Sequence, residues 1–320
     1  MSNFKTWISA MRLRTLPLAV SGILMGSALA GLSGYDTNFI ITLLALLTAI
    51  CLQILSNLAN DYGDFVKGTD NENRLGNMRA LQSGNITPQA MRNMIVTFVL
   101  LCLTSGLSLL AIAFNGHLNV GFLLFFMVGL TAIAAAIKYT VGQSAYGYKG
   151  LGDVFVFLFF GPVAVVGVYL LHHQFRWYGI GDAWIFLPAT TIGLLSAAVL
   201  NTNNIRDIEN DAASGKHTIV VHLGVRKARI YHWMLVLTAF VCLFIFLSFK
   251  SLHVLEYATL LAFIPIFKQA YLVHSTPPSP VYNGYLKKLS LATLFLVVAF
   301  MILQTIALGI YTYTAINKVM

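Results

Sequence analysis

Nine stretches of this chain are apolar over the length a bilayer demands, and nothing else in it limits the fold so strongly. They lie near residues 15–32, 38–58, 94–114, 118–137, 154–171, 183–200, 230–249, 255–272 and 289–314. A helix needs about 20 mostly apolar residues to cross the hydrocarbon core. With 58% hydrophobic and 10% charged residues, against roughly 25% charged in soluble proteins, the chain reads as an all-α integral membrane protein of about nine transmembrane helices. No low-complexity tract or long linker interrupts it, so residues 1–320 are expected to form a single domain.

The first apolar run follows Lys5, Arg12 and Arg14, the flank a signal peptide would have. Its length, the Pro17 inside it and the lack of a small-x-small exit predict a retained helix instead. Alternating sides from the N-terminus places 17 of the 20 Lys and Arg residues on one face, leaving Arg176, Lys250 and Lys318 on the other. The positive-inside bias makes the majority face, with the N-terminus, cytoplasmic. The net charge of +9 is then a topology signal, and nucleic acid is not implied. Cys51, Cys102 and Cys242 each fall inside a predicted span without metal-like or disulfide-like spacing, and are read as packing residues.

Against this apolar background the acidic residues are scarce and gathered. Only 11 residues are Asp or Glu, yet Asp61, Asp64 and Asp70 stand together after the second run, in NDYGDFVKGTD at 60–70. A second polar segment, NTNNIRDIENDAASGK at 201–216, follows the sixth run. On a helix, residues three and four apart share a face. Asn57, Asp61 and Asp64 form one stripe at i, i+4 and i+7; Asn203, Asp207 and Asp211 form another at i, i+4 and i+8. Acids at the membrane edge face a cavity or pathway. Paired carboxylates repel unless a cation lies between them, and oxygen donors without a His or Cys cluster favour Mg²⁺ or Mn²⁺ over zinc. Mg²⁺ takes one or two protein carboxylates and completes its shell with water and phosphate. Two such stripes on one face therefore suit a diphosphate, and Lys67, Arg74, Arg79, Arg206 and Lys216 lie near enough in sequence to neutralise its remaining oxygens.

The wording of these segments resembles the paired aspartate motifs of the UbiA superfamily of membrane prenyltransferases. NDYGDFVKGTD and NNIRDIENDAASGKHT at 203–218 carry the likeness; RALQSG at 79–84, AYGYKGLGDVFVFLFFGPVAVVG at 145–167 and RLRTLPLAVSGILMG at 12–26 are similar to the branch that prenylates 1,4-dihydroxy-2-naphthoate on the way to menaquinone. The likeness runs from Arg12 to about Gly224. It implies nine helices around a central cavity, in a bacterial cytoplasmic (inner) membrane, with the Asp motifs at the cytoplasmic mouth. A polyprenyl diphosphate would bind there through Mg²⁺ with its tail running towards membrane lipid, and 1,4-dihydroxy-2-naphthoate would be the acceptor.

On that resemblance Asp61, Asp64, Asp207 and Asp211 are the catalytic metal ligands, with Asn57, Asn60 and Asn203 supplying amide oxygens or holding water. Lys67, Arg79, Arg206 and Lys216 would grip phosphate oxygens. Tyr139, Tyr146 and Tyr148, with Tyr62, would turn ring faces to an allylic cation. Lys138 is read as a snorkelling anchor or a phosphate ligand, and Asp153 as a group that orients the acceptor, binds a basic partner or caps its helix. Asp70 departs from the superfamily pattern: it stands six residues after Asp64 and beyond Gly68, off the helical stripe. Two rival readings remain, a relative using another aromatic acceptor and a cation-coupled transporter, whose carboxylates sit in discontinuous helices near the midplane.

Overall fold

A backbone in lipid has no water to bond to, so each apolar run must close its hydrogen bonds within itself. The computed structural model, which describes residues 4–33, 37–71, 75–76, 78–175 and 180–319, is helical throughout its long elements. A short amphipathic helix α1 (Phe4–Met11) and a 3₁₀ turn (Leu13–Thr15) lead into α2 (Leu16–Leu32). There follow α3 (Phe39–Val66), α4 (Pro88–Ala113), α5 (Val120–Lys138), α6 (Gly152–His172), α7 (Phe186–Arg206) and the short α8 (Ile208–Ala213). The chain ends with α9 (Ile219–Lys250), α10 (Phe263–Ser275) and α11 (Tyr282–Val319). Asn38, Thr87, Asn119 and Thr218 start α3, α4, α5 and α9 by accepting a hydrogen bond from a first-turn N–H.

Eight helices among the described residues are long and apolar enough to span. The ninth predicted span, 255–272, is composite: a 3₁₀ segment, Val254–Ala262, runs straight into α10. Together they cover about 37 Å, enough to cross. Pro162 lies inside a π-helical stretch of α6 (Phe159–Val166), one of the devices that bend a helix. Pro17, Pro188 and Pro265 stand in the first turns of α2, α7 and α10, where no N–H partner is needed.

The helices form two blocks. α3, α4 and α5 pack on one another; α6, α9 and α11 surround α7; and α2 touches α3, α6, α7 and α11, bridging the blocks. The larger block is closed by small residues, as membrane helices without a hydrophobic drive between them require. A Cβ on Gly161 of α6 would meet the Ala189 carbonyl oxygen at 2.6 Å, and one on Gly193 of α7 would meet that of Phe157 at 2.7 Å. By contrast α5 has only Gly121 and Ala135 buried along its length. A cavity of about 380 Å³ lies between the blocks, walled by α2 to α7.

Candidate active site

The first motif lies on one continuous helix. α3 runs through Asn57, Asn60, Asp61 and Asp64 before ending at Val66, all four side chains buried. Between the carboxylates stands Gly63, where a Cβ would meet Thr140 Oγ1 at 2.5 Å and the Thr140 carbonyl carbon at 2.7 Å. The Thr140 hydroxyl donates to the Ala59 carbonyl at 3.0 Å, fastening the end of α5 against the motif. Gly68 and Thr69 then turn the chain back, with Thr69 N–H donating to the Asp64 carbonyl at 2.9 Å. This brings Asp70 within 3.7 Å of Arg79.

The second motif departs from the expected unbroken stripe. α7 stops at Arg206, Asp207 adopts φ −99° and ψ 13°, and α8 starts afresh. Asp207 is thus the joint between two helices, its carbonyl accepting from Asp211 N–H at 2.8 Å. After α8, Gly215 in the left-handed region (φ 69°) returns the chain so that Lys216 N–H bonds the Asp211 carbonyl at 2.8 Å.

Basic side chains hold the carboxylates in three groups. Arg12 pairs with Asp61 and donates to Asn60 Oδ1 at 2.8 Å, and Arg79 reaches Asp61 at 3.2 Å. Lys216 Nζ stands 3.7 Å from Asp64 Oδ2 and 3.7 Å from Asp211 Oδ1, joining the two motifs. Arg206, fully buried, grips Asp207 through Nε at 2.8 Å, Asn203 at 2.9 Å and Asn283 of α11 at 2.6 Å. A fourth tie is neutral: Asn210 Nδ2 donates to the Thr69 carbonyl at 2.9 Å. Burial alone would lower the Lys216 ammonium's pKa, but Asp64 and Asp211 outweigh it and hold it well above its usual range. Burial acts the same way on Arg79, and Asp61, Asp70 and Asp64 overcome it.

The tyrosines occupy distinct places. Tyr148 donates its hydroxyl to Asp64 Oδ1 at 2.8 Å and lies 2.5 Å from Thr69 Oγ1, while Lys67 Nζ sits 3.8 Å over its ring. Burial, then Asp64, raises the Tyr148 pKa. Tyr139 and Tyr146 meet edge to face at 5.4 Å, and Tyr146 stacks on Phe155 at 4.0 Å. Burial pushes the Tyr139 hydroxyl up to about 12.

Asn57, Asn60, Asp64, Arg79, Tyr139, Tyr146, Asn203 and Lys216 all line the cavity. Asp61, Asp207, Asp211 and Arg206 stand outside its lining and touch it through their partners. Three candidates lie away from the cavity. Lys138 is exposed on the last turn of α5, turned away from the cavity. Asp153 is buried against Tyr231, whose hydroxyl lies 3.4 Å away, and does not line the cavity. Tyr62 packs into the apolar cluster around α3 and α4. Asn57 uses its amide hydrogens on the Met11 carbonyl at 2.9 Å and Thr15 Oγ1 at 3.1 Å, holding the N-terminal turn. Arg74 lies outside the described residues.

That N-terminal turn supplies a site residue the charge count alone did not single out. Arg12 adopts a left-handed conformation (φ 50°) between α1 and the 3₁₀ turn, which aims it at Asn60 and Asp61. The RLRTLP wording was the available signal. Thr69 and Asn210, which tie the motifs together, and Asn283, which holds Arg206, gave none. Away from this end the cavity is apolar, with Phe125, Phe155 and Phe159 in its wall. Leu107 of α4 and Val128 and Leu130 of α5 line it and are themselves exposed.

Known proteins resemble this chain in sequence and in fold. A profile described as the UbiA prenyltransferase family matches residues 19–291. A 1,4-dihydroxy-2-naphthoate octaprenyltransferase of Escherichia coli strain K12 is 48% identical over 274 residues, 84% of this chain and 85% of that protein. One from Haemophilus influenzae is 40% identical over 93% of this chain and 95% of its own length. Among solved structures, an apo UbiA homolog from Aeropyrum pernix K1 superposes with a TM-score of 0.61 at 15% identity, covering 95% of this chain and 98% of that one. A UbiA homolog from Archaeoglobus fulgidus bound to DMAPP and Mg²⁺ gives 0.52 at 17% identity, over 92% and 98%.

Proposed function

The chain belongs to the UbiA prenyltransferase family, and from that premise we propose that it transfers a polyprenyl group from polyprenyl diphosphate to 1,4-dihydroxy-2-naphthoate, releasing CO₂ and diphosphate, in menaquinone biosynthesis. The observation that carries the reading is one cavity with two ends. Asp64, Arg79, Asn203 and Lys216 line its polar end, and an apolar slot with exposed lining residues forms the other. A diphosphate head with a lipid tail matches both. Residues 1–320 act as one domain in the bacterial inner membrane, with the N-terminus and the motif end of the cavity facing the cytoplasm.

The donor set fits Mg²⁺. Its hard oxygens come from carboxylates, and the described residues hold no group of three His, Cys, Asp or Glu side chains able to cage a metal. That suits an ion which takes one or two carboxylates and leaves the rest of its shell to water and phosphate. Asp64 and Asp211 would hold it, with Asp61 and Asp207 completing the two motifs; when bound, Mg²⁺ stabilises the negative charge of the departing diphosphate. Arg79, Lys67 and Lys216 hold phosphate oxygens as negative charge grows there. The allylic C–O bond breaks with its electron pair leaving on the diphosphate. The ring faces of Tyr139 and Tyr146 stabilise the cation and the apolar wall excludes water from it. The acceptor's carboxylate-bearing carbon uses ring π electrons to form the new C–C bond to the prenyl group, and loss of CO₂ returns the electron pair of the broken ring carbon–carboxylate bond to the ring.

The test is turnover of the purified protein in lipid with 1,4-dihydroxy-2-naphthoate and a polyprenyl diphosphate, with and without Mg²⁺, following product and CO₂ by mass spectrometry. Mg²⁺-dependent prenylated product with CO₂ is expected. Prenylation of a different aromatic alone would overturn the acceptor, and no reaction with any acceptor would overturn the transferase reading.

A further inference from the structure

Lys216 occupies a position that a bound cation would also need. Its ammonium stands 3.7 Å from a carboxylate of each motif, Asp64 of α3 and Asp211 of α8. A charge-assisted hydrogen bond is shorter, about 2.7–2.9 Å, so the ammonium is shared between the two acids without being locked to either. The second oxygen of Asp64 is already taken by Tyr148, 2.8 Å away, which leaves Oδ2 as the one facing Lys216. The backbone of Lys216 is anchored, its N–H on the Asp211 carbonyl and its neighbour His217 on the Tyr148 carbonyl at 3.1 Å. What can move is the side chain, a compact charge on a flexible four-carbon stem.

We propose that Lys216 is a built-in competitor for the metal: it neutralises Asp64 and Asp211 until a divalent cation takes its place, and then swings its ammonium onto the diphosphate. The inference rests on the metal reading above. A divalent cation held by Asp64 and Asp211 cannot share the gap with an ammonium, because like charges at that range repel. Diphosphate offers the displaced ammonium a new partner, so metal and diphosphate each raise the other's affinity, and by linkage the two effects are equal. Lys67, parked 3.8 Å over the Tyr148 ring, adds a second positive charge nearby and strengthens the bias against metal alone.

The experiment is direct Mn²⁺ binding, by equilibrium dialysis with spin detection, to the full-length protein in nanodiscs. It is run on the native protein, Lys216→Met and Lys216→Arg, with and without inorganic diphosphate. Without diphosphate, Lys216→Met should bind Mn²⁺ about 10-fold tighter than the native protein, within the usual range of coupling between sites, while Lys216→Arg should bind no tighter than native. Adding diphosphate should tighten Mn²⁺ binding in the native protein and narrow the gap to Lys216→Met. Native binding that needs diphosphate, with Lys216→Met unchanged or weaker than native, overturns the competitor role and leaves the metal site standing. No protein-retained Mn²⁺ in any form, even with diphosphate, overturns the metal reading itself and the proposal with it. Should Lys216→Met not fold, Lys216→Gln carries the same expectation.

Discussion

In the first motif the backbone is one uninterrupted helix, and Asn57, Asp61 and Asp64 keep their register through to Val66. In the second, similar side chains straddle a joint: α7 ends at Arg206, Asp207 sits at the break and Asp211 belongs to α8. Their fixings differ accordingly. The first motif adds a steric fit, Gly63 against Thr140, to the hold of Arg12 and Arg79 on Asp61; the second is seated by polar grips, Arg206 on Asp207, Asn203 and Asn283, and Asn210 on Thr69. One motif is a straight rail, and the other is a jointed part held by a buried clamp and tied to the rail through Asn210 and Lys216. Two fragments with like spacing can therefore present like donors on unlike scaffolds.

Substitutions can break or sharpen that contrast. The largest effect is expected at Asp64, the one motif carboxylate that lines the cavity and meets both Tyr148 and Lys216. Asp64→Asn should lower kcat/KM by about 10³-fold, about 4 kcal/mol, with circular dichroism unchanged; turnover within tenfold of native would deprive the rail of its leading role. Next is the clamp. Arg206→Met removes a fully buried guanidinium from Asp207 and should cost about 3 kcal/mol, read as a lower thermal midpoint in detergent. A stability equal to native would show that the joint needs no clamp.

These two positions also show what the sequence could and could not disclose. The spans and the first stripe were legible because hydropathy and a 3.6-residue period survive into the structure. The break at Asp207 was not, since NNIRDIEND contains neither Gly nor Pro, and the partner that holds Arg206 beside it, Asn283, lies 77 residues away. Between the two readings of Lys138 the sequence could not choose, because nearness to a span's end says nothing about azimuth; on α5 it is exposed and away from the cavity. Asn210 and Thr69 meet across 141 residues of chain, a separation no local pattern spans.

Smaller effects test the fit of rail and clamp. Gly63→Ala would place a methyl group 2.5 Å from Thr140 Oγ1, and overpacking of this kind costs about 1–3 kcal/mol. The same change paired with Thr140→Ala should recover part of the loss, and a Gly63→Ala protein as stable as native would refute the steric fit. Smallest, Asn210→Ala removes one buried hydrogen bond between the motifs, about 1 kcal/mol. Its expected signature is a raised KM for the prenyl diphosphate at nearly constant kcat, because it loosens how the clamp is set without touching the rail.

The exposed apolar lining at Leu107, Val128 and Leu130 changes what concentration means for a substrate that arrives through the membrane. A substrate entering there is delivered by diffusion in two dimensions, and its effective supply is its mole fraction among lipids, whatever the volume of the surrounding water. Diluting the bilayer with inert lipid at constant total substrate should slow the reaction, while diluting the buffer should leave it unchanged for the partner that arrives through the membrane.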